Sequence, residues 1–402
     1  MSSRRTFLKC LPAVTAGVGL APSLAAAGAK KTGQQVSPVR RIRLGEVEIT
    51  AISDGYIPLS QDLVQGAKHD EVAGALAASP QDRPLVGHVN AFVVNTEKRL
   101  FLIDAGGPAS FIPTLGGLGA ELAAAGIDPA SIDEVLLTHL HVDHIGALTK
   151  EDGSAAFANA DLTLLQTEHA FWTDDSLLAS AADGFRPLVL AARQAVAAYG
   201  DRLKLVSGEA EVGPGIFTLP IAGHTPGMAG YRIASGDQQL LMWGDVVHIP
   251  AIQFAHPDWH LSFDTDGPTA AKSRRRVLDM VATDRIPVLG SHLPFPGHGH
   301  VLRAGGTYAY EAAIGTTSRD RDRRPYGGTT RAAHRLGAQV ARRRGARMAG
   351  VTFRYATLRL VRDGRKMIER RLSPVAQVSA ARFLTDASQP QAVRNSVPPL
   401  RT

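Results

Sequence analysis

The sequence predicts an α/β protein, on three observations. Short apolar runs that read as buried strands alternate with longer stretches of helical periodicity. Those runs end repeatedly in Gly or Ser beside Asp or His, as in LIDAGG (102–107), AGHTPG (222–227), GD (244–245) and SH (291–292). The chain of 402 residues is 44% hydrophobic and 20% charged, enough apolar material for a large core.

The elements follow in order. A polar lead-in over 30–40 precedes strands at Val47–Ser53, Ala91–Asn95 and Leu100–Asp104. Leu115, Leu118 and Leu122 repeat at helical spacing, and Gly126 stands where a helix ends in the left-handed conformation. Asp128-Pro129 is an N-cap and N1 pair for a short turn. Val135–Leu137 is a further buried strand. Leu162–Gln166 reads as a strand, residues 167–200 as mainly helical, Ile216–Ile221 and Leu240–Trp243 as strands, 269–282 as a helix and Pro287–Gly290 as a short strand.

The formal net charge of +7 is unevenly placed. Residues 311–402 hold 20 Lys+Arg against 6 Asp+Glu, and the rest of the chain holds 24 against 31. The basic character therefore belongs to the C-terminal stretch, and no nucleic-acid partner is expected for the preceding part. That stretch, with runs such as Arg342-Arg343-Arg344 and few large hydrophobics, reads as an arginine-rich, disordered tail in which only Val351–Leu360 alternates like a strand.

Ser3-Arg4-Arg5-Thr6-Phe7-Leu8-Lys9 is a twin-arginine pattern, followed by an apolar, small-residue stretch and a small-x-small site at Ala27-Gly28-Ala29. We expect a signal peptide over 1–29, export by the twin-arginine route to the periplasm, a catalytic domain over 30–310 and the tail over 311–402. Cys10, the single cysteine, lies within the leader, so neither a disulfide nor a thiolate ligand is expected in the mature protein. No segment reads as a membrane span.

The chemistry concentrates in THLHVDHIGAL (138–148). His139, His141, Asp143 and His144 are imidazole and carboxylate donors on one tight turn after a strand, a set that suits zinc and other borderline divalent ions. A turn cannot surround a cation. His224, Asp245 and His292, each at the end of an apolar run, are the available complements.

In this order H-x-H-x-D-H, G-H-T-P-G, G-D and S-H resemble the metallo-β-lactamase superfamily. The resemblance implies an αββα sandwich, two mixed sheets flanked by helices, with two divalent metal ions, zinc first among them, at one sheet edge. It assigns His139, His141 and His224 to the first ion, Asp143, His144 and His292 to the second, and Asp245 to both, together with a bridging water or hydroxide. Asp143 and Asp245 are the carboxylates expected to carry catalysis, as ligands rather than general bases. LGEVEITAISDG, NAFVVNT, LIDAGG, FANADL, AFW, PGI, AIQF and SHLPFPGHGHV, over roughly 40–310, resemble the methyl parathion hydrolase-like branch. That branch implies a phosphotriester, ester or lactone as the small-molecule substrate, attacked by the bridging hydroxide.

Phe111, Trp172 and Phe185 align by context with pocket aromatics of that branch, and His248 is a fourth pocket candidate. Asp104 is expected either to orient a ligand histidine or to cap its strand, and His298 and His300 are expected on a loop. A homodimer is compatible with the reading. Two rival readings stand beside it: a mononuclear-iron oxidoreductase of the persulfide dioxygenase type on the same fold, and a non-catalytic protein that binds through its basic tail.

Overall fold

The computed structural model describes residues 36–79 and 85–313, together with the backbone of 357–362 and 366–371. The expected twin-arginine leader, its expected cleavage site and most of the basic stretch lie outside the described residues.

Two seven-stranded mixed sheets form the centre. The first runs, in spatial order, Val39–Leu44, Val47–Pro58, Val86–Asn95, Leu100–Ile103, Glu134–Leu136, Asp161–Leu165 and Leu203–Val206. Its first four strands pair antiparallel and its last four are mutually parallel. The second runs Thr307–Ala312, His298–Ala304, Val288–Leu289, Gln238–Met242, Ala229–Ser235, Ile216–Pro220 and Glu211–Gly213, antiparallel except between Gln238–Met242 and Val288–Leu289.

Alternation along the strands sorts the core into layers. Phe92, Phe101, Ile103 and Leu136 from the first sheet meet Ile216, Tyr231, Ile233, Leu240, Met242 and Leu289 from the second. Their neighbours Ala91, Val93, Leu102 and Val135 face the other way, onto Leu118, Leu122, Val189, Ala192 and Val196 of the helices Leu118–Ala124 and Arg186–Ala197. Beyond the second sheet, Leu241, Trp243 and Val288 pack on Val277, Leu278 and Val281 of the helix Gly267–Asp284. Both faces of both sheets are thus apolar, which is why the central strands read as continuous hydrophobic runs. The result is the expected αββα sandwich.

Several elements differ from the sequence reading. The lead-in becomes a strand at Val39, where Val39–Leu44 pairs with Val47–Ile52. His298 and His300 lie on the strand His298–Ala304, not on a loop, paired through Gly299 to Val288 and Ala312. The edge strand runs to Ala312, two residues past the expected end of the catalytic domain. These are edge or near-edge strands with polar outer faces, so they lack the apolar runs that revealed the central ones. Within the basic stretch, Thr357–Arg362 and Lys366–Arg371 pair as an antiparallel hairpin.

Candidate metal centre

Donors from both sheets meet at one edge of the sandwich, each carried just past the C-terminal end of a strand. Glu134–Leu136 delivers His139 and His141, Ile216–Pro220 delivers His224, Gln238–Met242 delivers Asp245, and Val288–Leu289 delivers His292. Asp143 and His144 sit in the short helix Val142–Ile145, for which His141 is the N-cap.

Close backbone approach holds this turn. A Cβ on Gly146 would lie 2.4 Å from the carbonyl carbon of Gly107, and one on Gly107 would lie 3.0 Å from Cα of Asp143, so LIDAGG and HIG can meet only as glycines. Asp104 adopts φ 60°, a left-handed conformation that costs a non-glycine residue energy. From there its carboxylate accepts from Thr138 N (2.8 Å) and from Nδ1–H of His144 (2.9 Å). It serves both expected roles, strand-end cap and histidine orienter, and leaves Nε2 of His144 aimed inward.

All seven expected ligands come together, in two neighbouring groups. His139, His141, His224 and Asp245 form one, and Asp143, His144 and His292 form another; within each group the donor atoms lie within 4.8 Å of one another. Asp245 stands between them. Its Oδ2 is 3.6 Å from His139 Nε2, 3.2 Å from His224 Nε2 and 2.9 Å from His292 Nε2, while Oδ1 is 3.3 Å from His144 Nε2. His141 is partly buried and the other six are buried.

The polar atoms fit cations. His141 Nδ1 confronts His139 Nε2 at 3.0 Å and His224 Nε2 at 2.9 Å. His224 Nδ1 is taken by Asp264 at 2.7 Å, so its Nε2 presents a lone pair to that cluster. His144 Nε2 and Asp245 Oδ1 are buried without a hydrogen-bond partner. Imidazole and carboxylate donors in this state suit borderline divalent ions, which would satisfy atoms that cannot satisfy each other.

Without ions the electrostatics are split. Burial holds His139 well below the ordinary imidazole range, reinforced by the charge of His144, and holds His141 down at about 3. Burial also disfavours charge on His144, but Asp245, Asp143 and Asp104 outweigh it and raise its pKa well above normal. His224 is likewise raised against burial, to about 9, by its hydrogen bonds to Asp245 and Asp264.

The pocket candidates divide. His248 is buried, with Nε2 3.1 Å from Asp245 Oδ2 and its ring stacked 4.7 Å from that of His292. Trp172 is fully buried, its indole edge-on to His141 at 5.5 Å, and Phe185 packs against it at 5.7 Å. Phe111 is 43% exposed on the loop after Gly107 and is not brought into that stack.

Three residues that the sequence reading passed over also act here. Asp264 fixes His224 as described. Asp54 accepts from the N–H groups of Gly107, Gly116 and Leu118 and so anchors the loop that carries Phe111. Glu168, fully buried, accepts hydrogen bonds from both loops of the first donor group. None of the three carries a sequence signal: Glu168 lies in the polar first half of the helix QTEHAFWT.

Comparison with known proteins agrees with this geometry. Residues 84–292, just over half of the chain, match the family profile described as the metallo-beta-lactamase superfamily. The chain belongs to that superfamily. It is 30% identical over 159 residues to the probable metallo-hydrolase YqgX of Bacillus subtilis (strain 168), a match that covers 39% of this chain and 65% of that relative. Among solved structures, hydrolase AbOPH of the beta lactamase superfamily superposes with a TM-score of 0.67 at 31% identity, over 71% of this chain and 100% of that one. AidC, a dizinc quorum-quenching lactonase solved with a product bound, superposes with a TM-score of 0.65 at 27% identity, over 70% of this chain and 99% of that one. Fold, family and donor set together define a metallo-beta-lactamase scaffold with a candidate metal centre.

Proposed function

We propose that this protein is a binuclear, zinc-dependent hydrolase of the methyl parathion hydrolase-like or lactonase-like type, acting on a phosphotriester, ester or lactone. The observation that carries the reading is Asp245, which faces both donor groups through its two carboxylate oxygens. A full second donor group, Asp143, His144 and His292, favours two ions over the single iron of a persulfide dioxygenase. The likeness to AbOPH and to the dizinc lactonase AidC supports both the class of reaction and the metal.

In this reading His139, His141 and His224 hold one ion, Asp143, His144 and His292 hold the other, and Asp245 is shared. When bound, such a pair supplies Lewis acidity and water activated near neutral pH. The chain supplies the rest. Asp104 and Asp264 keep His144 and His224 turned inward. His248, beside Asp245, is placed to donate a hydrogen bond to a substrate oxygen. The buried Trp172, with Phe185 against it, backs His141 from behind, and the exposed Phe111 is the aromatic side chain open to an aryl or acyl group. Export to the periplasm through residues 1–29 and a catalytic domain ending near Ala312 complete the proposal.

The test is a panel of p-nitrophenyl phosphotriesters, esters and lactones, with metal analysis of the same preparation. Two zinc-type ions and hydrolysis of one class are expected; one iron per chain with no hydrolysis would sink the reading.

A further inference from the structure

Glu168 sits in the first turn of the helix Gln166–Thr173, fully buried. Its carboxylate is saturated by donors. Oε1 accepts from Leu140 N (3.0 Å) and Trp172 Nε1 (2.7 Å), and Oε2 accepts from Thr225 Oγ1 (2.6 Å) and Gly227 N (3.0 Å). Leu140 stands between His139 and His141, while Thr225 and Gly227 follow His224. One side chain thus ties the two loops that carry the three histidines of the first donor group.

The contact is tight as well as polar. A Cβ on Gly227 would lie 2.1 Å from Glu168 N, so the His224 loop rests directly on the backbone of this helix. The second donor group is fastened elsewhere: His144 by Asp104 and His292 by the carbonyl of His88, at 2.9 and 2.6 Å. Glu168 touches neither fastening. Burial raises its pKa, yet three of its four partners are N–H groups that can only donate.

We infer that Glu168 is the positioning residue of the first metal position: it sets the spacing of His139, His141 and His224 and tunes affinity there without touching the second position. The inference rests on the two-ion reading above. A glutamine cannot replace it. Its amide NH2 would confront either Leu140 N–H and Trp172 Nε1–H or Gly227 N–H, and would strand a buried donor in both orientations.

The experiment is calorimetric titration of the metal-free full-length chain with zinc, with Glu168→Gln placed in two backgrounds. His144→Ala leaves the first donor group intact, and there E168Q is expected to weaken binding about 10- to 100-fold. His141→Ala leaves the second, and there E168Q is expected to change nothing. Thr225→Val, which removes one donor only, should act in the same direction with a smaller effect, and it decides the matter if E168Q does not fold. Equal weakening in both backgrounds, or none in the His144→Ala background, overturns the inference while the two-ion reading stands. A wild-type chain that takes up no zinc overturns both.

Discussion

Asp245 Oδ1 lies 3.3 Å from His144 Nε2, and both atoms are buried without a hydrogen-bond partner. Asp245 Oδ2, in the same carboxylate, faces His224 and His292. Truncating Asp245 therefore removes a donor from both groups and leaves an imidazole cluster with no shared counter-charge. Asp245→Ala is expected to lose both ions and at least about a thousandfold in kcat/KM, a loss of roughly 4 kcal/mol in transition-state stabilisation. Metal analysis and hydrolysis on the same sample check it. Full turnover from a metal-free preparation would sink the mechanism.

The metal-free protein should show a distinctive pH profile. His144, His224 and His292 have pKa values raised above the ordinary value, His224 to about 9. A raised folded-state pKa stabilises fully below about pH 6.5, and that contribution is lost as pH rises through about 9. His139, His141 and His248 are lowered, so they remove stability only as pH falls below about 6.5. Urea midpoints of the metal-free chain should therefore decline from about pH 6.5 to 9. Zinc-loaded protein should not decline in that window, because coordination keeps the ligand imidazoles unprotonated. Parallel declines would show that these histidines are not the ligands.

His248 separates binding from turnover. It approaches Asp245 but belongs to neither expected ligand set. His248→Phe keeps a ring against His292 while removing the polar tip. The expected result is two retained ions with kcat lowered about 100-fold, the usual scale for a lost polar group at a reacting centre. Loss of one ion would instead make His248 a ligand in the group it forms with Asp245 and His292.

Removal of residues 314–402 is expected to leave metal content and turnover unchanged. The cut belongs after residue 313, because Ala312 pairs with Gly299 and Ala313 donates to the carbonyl of His298. A truncated chain that keeps both ions but loses its activity or solubility would assign the basic segment a role in this protein's action.

The parts of the site that were readable in the sequence are those in which chemistry and chain position coincide. His139 to His144 lie within six residues, and Asp245 and His292 each follow an apolar strand by a few positions, so strand ends and donors could be matched directly. Asp264, Asp54 and Glu168 were not readable, because their partners are N–H groups, an imidazole and a hydroxyl on loops distant along the chain. Only the folded topology brings Gly227 to Glu168 or Gly107 to Asp54. The same limit hid the strand His298–Ala304: Arg303 and His300 on a near-edge strand carry no apolar signature, whereas Phe92 and Phe101, buried between the sheets, do.

The strand order divides the donors by time as well as by space. His139, His141, Asp143 and His144 emerge from the ribosome with the first sheet, whereas His224, Asp245 and His292 belong to the second. Each donor group draws on both sheets, so a nascent chain that has completed only its first half holds fragments of both positions and neither one whole. His292 comes last, only a short hairpin before the described sheet ends. Neither donor group is therefore whole until the second sheet has been made, the first at Asp245 and the second at His292.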